Sequence, residues 1–321
     1  KPSANAYKRA ATLVLDREAE LKRQVQSHLN KIAPDTVGTI SQRIAETNVA
    51  NAEELSIVIH LIMKKALTEP HYCETYADLV YNLKTTMPEF PDRDGGKPKS
   101  FRSILLTVCQ EEFESISRDS LDLTPEEKEG KQKDELDFMI TQRKKRCLAN
   151  MKFIGHLYLR KLLGAKVIGP VIQDLALSDD ALPSEHILEC ICELLLSIGY
   201  TLESEAVGKD TLVNVCGRLR ELKGRTDKKG KSVFPMRIKF LIQDVMDTRE
   251  AGWKKKVFKQ QAKTKDEIRE DAKRDEKAQK NDGSEVVVAG QRPAWMSAGV
   301  APGTKAEDGA WDVVATKSRR G

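Results

Sequence analysis

Apolar positions recur every three to four residues over most of residues 7–250, the spacing of helices that bury one face. The periodic segments fall into pairs separated by short breaks. The first pair spans about residues 7–31 and 35–48, interrupted at Ala33-Pro34. The second spans 52–68 and 71–86. Asn51 and Glu54 have capping-box spacing at its start, and Glu69-Pro70 marks its turn. The stretch 88–99 holds Pro88, Pro91, Gly95, Gly96 and Pro98, and so cannot continue either helix.

A third pair opens with Phe101–Ser117. Its partner is announced by Thr124-Pro125-Glu126-Glu127, with threonine as cap, proline at the first helical position and Glu127 completing the box. The polar stretch Glu126–Lys145 reads either as a long solvated helix or as a loop. Leu148–Leu163 is apolar almost all round, the pattern of an inner helix covered on several sides. The fourth pair spans 166–178 and 184–199 around Leu182-Pro183-Ser184. The fifth spans 204–223 and 233–249, joined by the basic loop Lys223–Ser232. Ten helices in five pairs predict an all-α solenoid. There is no strict internal repeat. Degenerate HEAT-type pairs fit better than tetratricopeptide or ankyrin units, with a compact helical bundle as the alternative.

This reading divides the chain into a helical domain over 7–253, a charged extension over 254–282 and a tail over 283–321. Lys254–Lys280 carries 11 basic and 6 acidic residues and is a candidate exposed helix. The tail, rich in Gly, Ala, Ser and charge, is expected to be disordered. It carries Trp295 and Trp311, which read either as short docking motifs or as aromatics without a task.

One residue breaks the helical pattern of the fifth pair. Phe234, Ile238, Leu241, Ile242 and Val245 share one stripe of the last helix. Phe240 projects nearly opposite, with Arg237 one turn before it and Asp244 one turn after. An aromatic displayed between an arginine and a carboxylate, away from the core, has the composition of a protein-binding hot spot. The competing reading is a second layer of structure over Phe240, or one of the scattered exposed apolar residues of any surface.

Composition narrows the class. Of 321 residues, 40% are hydrophobic, 32% charged and only 5% aromatic, with a net charge of +5. That is a helix-rich soluble chain whose mild basicity permits, without demanding, nucleic-acid contact. Its first residue, Lys1, is not Met, so a fragment of a longer protein is expected. No signal peptide, glycosylation sequon or 18-residue apolar run is present, and the cytoplasm is the expected compartment. The six cysteines, Cys73, Cys109, Cys147, Cys190, Cys192 and Cys216, form no C-x-x-C pair and read as buried thiols.

Catalytic motifs are missing from the sequence. It contains no phosphate loop, nucleophile elbow, zincin motif or dinucleotide fingerprint. The best metal candidate, His186-x-x-x-Cys190-x-Cys192, puts Cys192 on another face, so no tetrahedral set assembles locally. Cys147 follows four cations, yet no base accompanies it. A non-enzymatic protein without cofactor or metal is expected. Basic clusters are the stronger signal: Arg143, Lys144, Lys145 and Arg146; then Arg225, Lys228, Lys229 and Lys231 within a run of nine basic and two acidic residues from Arg218 to Lys239; then Lys254, Lys255 and Lys256. Such clusters suit non-specific, salt-sensitive phosphate contacts. Without interleaved aromatics they do not suit a sequence-specific single-strand reader.

An ordered series of motifs then points to a family. It runs Leu29-Asn30-Lys31-Ile32-Ala33-Pro34, Lys65-Ala66-Leu67-Thr68-Glu69-Pro70, Phe101-Arg102-Ser103-Ile104-Leu105-Leu106 with Cys109–Glu114, and Asn150–Leu157. It continues with Glu189–Leu195 and Ile198-Gly199, then Arg237–Phe240, Gln243–Asp247, Arg249 and Trp253. Together these resemble the middle domain of eukaryotic translation initiation factor 4 gamma, the scaffold of the cap-binding complex, over about residues 20–255. The resemblance implies a five-pair HEAT domain that holds a DEAD-box RNA helicase of the initiation factor 4A type, contacts both of its lobes, stimulates its ATP-driven unwinding and touches RNA. It further implies that the last pair meets the N-terminal helicase lobe through Arg237 and Phe240. Other initiation factors and the cap-binding subunit are implied partners through regions outside the domain. Lys239 departs from the arginine common in the family, and 88–99 and 115–143 match poorly. The cap-binding-subunit motif needs four residues between Tyr and Leu. Tyr7 and Leu13 are separated by five, so no such site is assigned. A HEAT adaptor of mRNA decay, splicing or nuclear cap binding, and an RNA-binding solenoid without a helicase, are the alternatives.

Overall fold

A computed structural model describes residues 17–91, 98–118, 130–177, 182–258, 284–299 and 302. They form two units: residues up to Leu162 together with those from Pro293 onward, and residues Leu163–Arg292. The fold is an all-α solenoid of antiparallel helix pairs, three pairs in the first unit and two in the second.

The first unit contains α1 (Arg17–Leu29), α2 (Val37–Ala45), α3 (Ala52–Thr68), a 3-10 turn (Pro70–Tyr72), α4 (Cys73–Thr86), α5 (Phe101–Arg118) and α6 (Lys133–Leu159). Helix α1 packs on α3 and α3 on α5, while α2 packs on α4 and α4 on α6. Alternate helices therefore stack in two layers, which is how successive hairpins bury one continuous core. Val25, Ile44, Leu55, Val58, Leu79, Leu83 and Leu157 fill it, all fully buried. Each such aliphatic side chain contributes roughly 1.5–3 kcal/mol through removal from water.

Local chemistry sets the ends of these helices. The Asn51 side chain caps α3 by accepting from the Glu54 backbone N–H at 2.7 Å. The Glu54 carboxylate reaches back to the N–H of Ala50 at 3.0 Å, one residue before the position a capping box uses, and also accepts from Arg17 Nε at 3.2 Å. The Thr124-Pro125-Glu127 cap lies outside the described residues, as do 7–16. The polar stretch before Leu148 proves helical from Lys133, continuous with the inner helix. That inner part is buried from Cys147 to Leu159 on most of its circumference, against α3, α4 and α5.

At the end of α6 the Arg160 side chain is fully buried. Its Nε donates to Asp78 Oδ1 at 2.5 Å and its Nη2 to Glu74 Oε1 at 3.3 Å, both on α4. Burial raises the Asp78 carboxyl pKa, and the Arg160 bond offsets only part of that rise. Beside it, burial and then the Arg160 charge push His156 down to about 4.

The second unit contains α7 (Ala165–Leu177), α8 (Glu185–Ser204), α9 (Ala206–Gly224), α10 (Met236–Glu250) and the strands β1 (Lys254–Phe258) and β2 (Ser284–Val288). Helix α7 packs on α9 and α8 on α10, the same alternation. Ser184 caps α8 by accepting from the Ile187 N–H at 3.4 Å.

Two expectations are corrected here. Lys254–Phe258 is a strand rather than the start of a helix, paired antiparallel with Ser284–Val288 from Lys254↔Val288 to Phe258↔Ser284. Gly252 and Trp253 both have positive φ, 67° and 63°, which turns the chain out of α10. The β-branched run Val286-Val287-Val288 then supplies a partner strand. The tail from 283 is also not without structure: it provides β2 and α11 (Ala294–Ala298), preceded by Pro293 and ended by Gly299 at φ 71°. The rest of the 254–282 extension, and the tail around Trp311, lie outside the described residues.

Candidate functional site

Helix α10 is built as its pattern predicts. Ile238, Ile242 and Val245 are fully buried, and Phe234, just before the helix, is also buried. Pro235 has φ −65° and ψ 160° and stands at the N-cap, where it offers no side-chain cap; its carbonyl accepts from the N–H groups of Ile238 at 3.1 Å and Lys239 at 3.3 Å. The opposite face is open. Phe240 is 65% exposed and Met236, one turn earlier, 59% exposed. Two large apolar side chains at i and i+4 form one patch on the helix surface. Among the described residues no second layer covers Phe240.

The charges beside this patch have partners within the unit. Arg237 bonds Glu189 through Nη1 and lies 3.5 Å from Glu185 through Nη2, both on α8. Asp244 Oδ2 lies 3.4 Å from Lys255 Nζ on β1. Exposed pairs of this kind contribute little to stability. Arg237, Phe240 and Asp244 are thus brought to one face. Met236, Glu185 and Glu189 join them without having been read from the sequence. Met236 was legible as the residue one turn before Phe240, whereas the glutamates come from another helix and left no local signal.

The basic residues fare differently. Arg225–Val233 is an ordered hairpin: Thr226 and Ser232 pair, Val233 N–H donates to the Arg225 carbonyl at 3.2 Å, and Gly230 turns at φ 75°. The Asp227 carboxylate accepts from the backbone N–H groups of Lys229 at 2.8 Å and Lys231 at 2.9 Å. The acidic residue is therefore used to shape the turn, and Arg225, Lys228, Lys229 and Lys231 stand exposed around it. Lys254 is exposed on β1, Lys255 is engaged with Asp244, and Lys256 stands opposite Val286 in the strand pair. In the first unit, Lys144 and Lys145 are exposed on α6, Arg143 is half-buried, and Arg146 grips both oxygens of Glu112 at 2.7 and 2.8 Å.

The six cysteines are all buried. Cys190 Sγ lies 3.7 Å from His186 Nε2, as their shared face requires. Burial, followed by the neighbouring Cys216, pushes the Cys192 thiol up to about 12. Burial also raises Cys73 to about 11 and Cys109 to about 12. Thiols so shifted are protonated at neutral pH and poorly suited to attack or ligate. Among the described residues no helix is long and apolar enough to cross a membrane.

Stacked helix pairs whose alternate helices pack on one another define the class, a helical-repeat domain. The MIF4G domain family matches residues 22–251, and the chain belongs to that family. It is similar to eukaryotic translation initiation factor 4G of Arabidopsis thaliana, 29% identical over 84% of this chain and 15% of that protein. It is also similar to eukaryotic translation initiation factor 4 gamma 1 of Mus musculus, 31% identical over 80% of this chain and 16% of that protein. The chain thus spans about one sixth of the length of these curated relatives. Among solved structures, the MIF4G domain of Trypanosoma cruzi translation initiation factor EIF4G5 aligns at 19% identity with a TM-score of 0.46, covering 73% of this chain and 97% of that one.

Proposed function

We infer that this chain is a non-enzymatic scaffold domain of translation initiation, of the factor 4G type, that acts in the cytoplasm. It binds a DEAD-box RNA helicase of the initiation factor 4A type, contacts both lobes and stimulates it. The observation that carries the reading is the exposed Met236–Phe240 patch on α10, flanked by Arg237 and Asp244, in a chain of the MIF4G family. Exposed aromatic and arginine side chains on a rigid helix are the usual composition of a binding hot spot. Glu189 pre-orients Arg237, which lowers the ordering cost when a carboxylate on the partner takes it over. The Arg225–Val233 hairpin, with its exposed lysines, favours additional non-specific RNA binding.

The family also has room for adaptors of decay, splicing and nuclear cap binding, so the partner is the point to test. Binding of this chain to a panel of purified DEAD-box helicases discriminates them. Preference for the initiation helicase, weakened by Phe240→Ala, is the expected result. Preference for a decay or splicing helicase overturns the reading.

A further inference from the structure

Trp295 is not idle. In the first unit its ring, on α11, packs edge-on against Tyr81 of α4, with centroids 4.9 Å apart and planes inclined at 63°. At the next position along α4, the Asn82 side-chain amide donates to the Pro302 carbonyl at 3.0 Å. Asn82 is 8% exposed and Pro302 is buried. An amide buried this far needs an acceptor, and the chain's own carbonyl serves. Residues 293–299 are shaped for the fit. Pro293 starts α11, and Gly299, at φ 71°, ends it by donating its N–H to the Trp295 carbonyl. The left-handed φ favours glycine there and turns the chain after a single short helix.

The preceding residues are fixed as well. In the second unit the Gly290 carbonyl accepts from the Thr201 backbone N–H at 3.2 Å and from Thr201 Oγ1 at 2.7 Å. A Cβ at Gly290 would fall 2.6 Å from the Ile198 backbone, so only glycine fits. Arg292 Nη2 bonds Glu205 at 2.8 Å. A disordered tail would make none of these contacts.

We propose that the Tyr81–Asn82 face of α4 is a peptide-binding site and that its ligand, bound within the same chain, is α11 with Gly299 and the Pro302 carbonyl. Tyr81 selects an indole through an inclined ring contact. Asn82 selects a backbone carbonyl seven residues downstream of that indole. The ligand class is a short peptide with tryptophan in one helical turn, followed by a glycine break. A covalently attached ligand acts at a high effective concentration, so it excludes free peptides of the same type while it is docked.

A labelled synthetic peptide of residues 291–304 tests this on the full chain by fluorescence anisotropy. The peptide is expected to bind the Trp295→Ala protein at least tenfold more tightly than wild type, because the variant has emptied the site. Adding Asn82→Ala to that variant is expected to abolish the gain. Hydrogen exchange gives an independent reading: amides of 294–299 should be protected in wild type and lose protection in Trp295→Ala, with α4 unchanged. Equal binding to wild type and Trp295→Ala, binding to neither, or undiminished protection in the variant overturns the proposal.

Discussion

The indole of Trp253 occupies the space in which residue 199 would carry a side chain: a Cβ on Gly199 would lie 2.1 Å from Cζ3 and 2.2 Å from Cη2 of the ring. The ring is held there from the other side. Trp253 Nε1–H donates to Glu203 Oε2 at 2.6 Å, and Arg249 donates to Glu203 Oε1 at 2.7 Å. Burial pushes the Glu203 carboxyl up, but these two donors outweigh it and hold it below its ordinary value. Gly199→Ala must displace the indole or shift α8. Overpacking of this kind costs roughly 1–3 kcal/mol, so urea denaturation of the variant should show a loss in that range. A loss under about 0.5 kcal/mol, the size of an ordinary surface change, would mean the ring is not locked against α8.

Arg160 should be the most damaging single charge to remove. Its side chain is fully buried against Asp78 and Glu74. Arg160→Ala leaves the Asp78 carboxylate, itself largely buried, without its cation, and breaking a buried pair typically costs about 3–5 kcal/mol. Chemical denaturation at neutral pH measures this. Asp78→Asn is expected to be milder, because the amide still accepts from the guanidinium.

Acid should weaken the first unit through His156. Its folded pKa lies at about 4, against 6.5 in an unfolded chain, through burial and then the Arg160 charge, with Lys152 adding and Glu74 opposing. The unfolded chain therefore takes up the proton first. The stability that neutral His156 contributes is full above pH 6.5 and is lost as the pH falls towards 4. At 1.36 kcal/mol per unit this amounts to at most about 3 kcal/mol. His156→Asn should flatten the stability profile across that window. An unchanged slope would assign the acid sensitivity elsewhere.

Much of the solenoid was legible because helix formation here follows local pattern. The Asn51 cap, the Glu69-Pro70 turn and the Ile238–Ile242–Val245 stripe all act within one or two turns of chain. The exposure of Phe240 followed from the same 100° arithmetic. What sequence could not carry were relationships between distant residues. Nothing near Arg237 announces Glu189, nothing near Lys255 announces Asp244, and nothing near Trp295 announces Tyr81. The Lys254–Phe258 strand was misread for the same reason: its partner lies some 30 residues downstream. Three lysines in a row look like a solvated helix until Gly252 and Trp253 are seen to turn the chain.

The Lys228, Lys229 and Lys231 cluster should dominate RNA contact in the second unit, because these side chains are exposed around a turn that has already consumed Asp227. Each lost phosphate contact lowers the salt slope of single-strand binding by about 0.7, so the triple alanine variant should lose about 2 in the slope of log affinity against log salt. Arg146→Ala should do less, since Arg146 already grips Glu112. Filter binding across a salt series measures both. An unchanged slope in the triple variant would move the RNA surface elsewhere.

The measurement that bears most directly on the scaffold reading is the RNA-dependent ATPase rate of an initiation factor 4A-type helicase, alone, with this chain, and with its Phe240→Ala variant. Phe240 is 65% exposed, so the variant should fold and melt as wild type does, and any change is one of contact. Stimulation by the wild-type chain, with a loss of about 2 kcal/mol or more in helicase binding and a matching loss of stimulation in the variant, is the predicted result. No stimulation by the folded wild-type chain, or equal stimulation by both proteins, would contradict the account: the first removes the helicase, and the second removes the α10 surface as its contact.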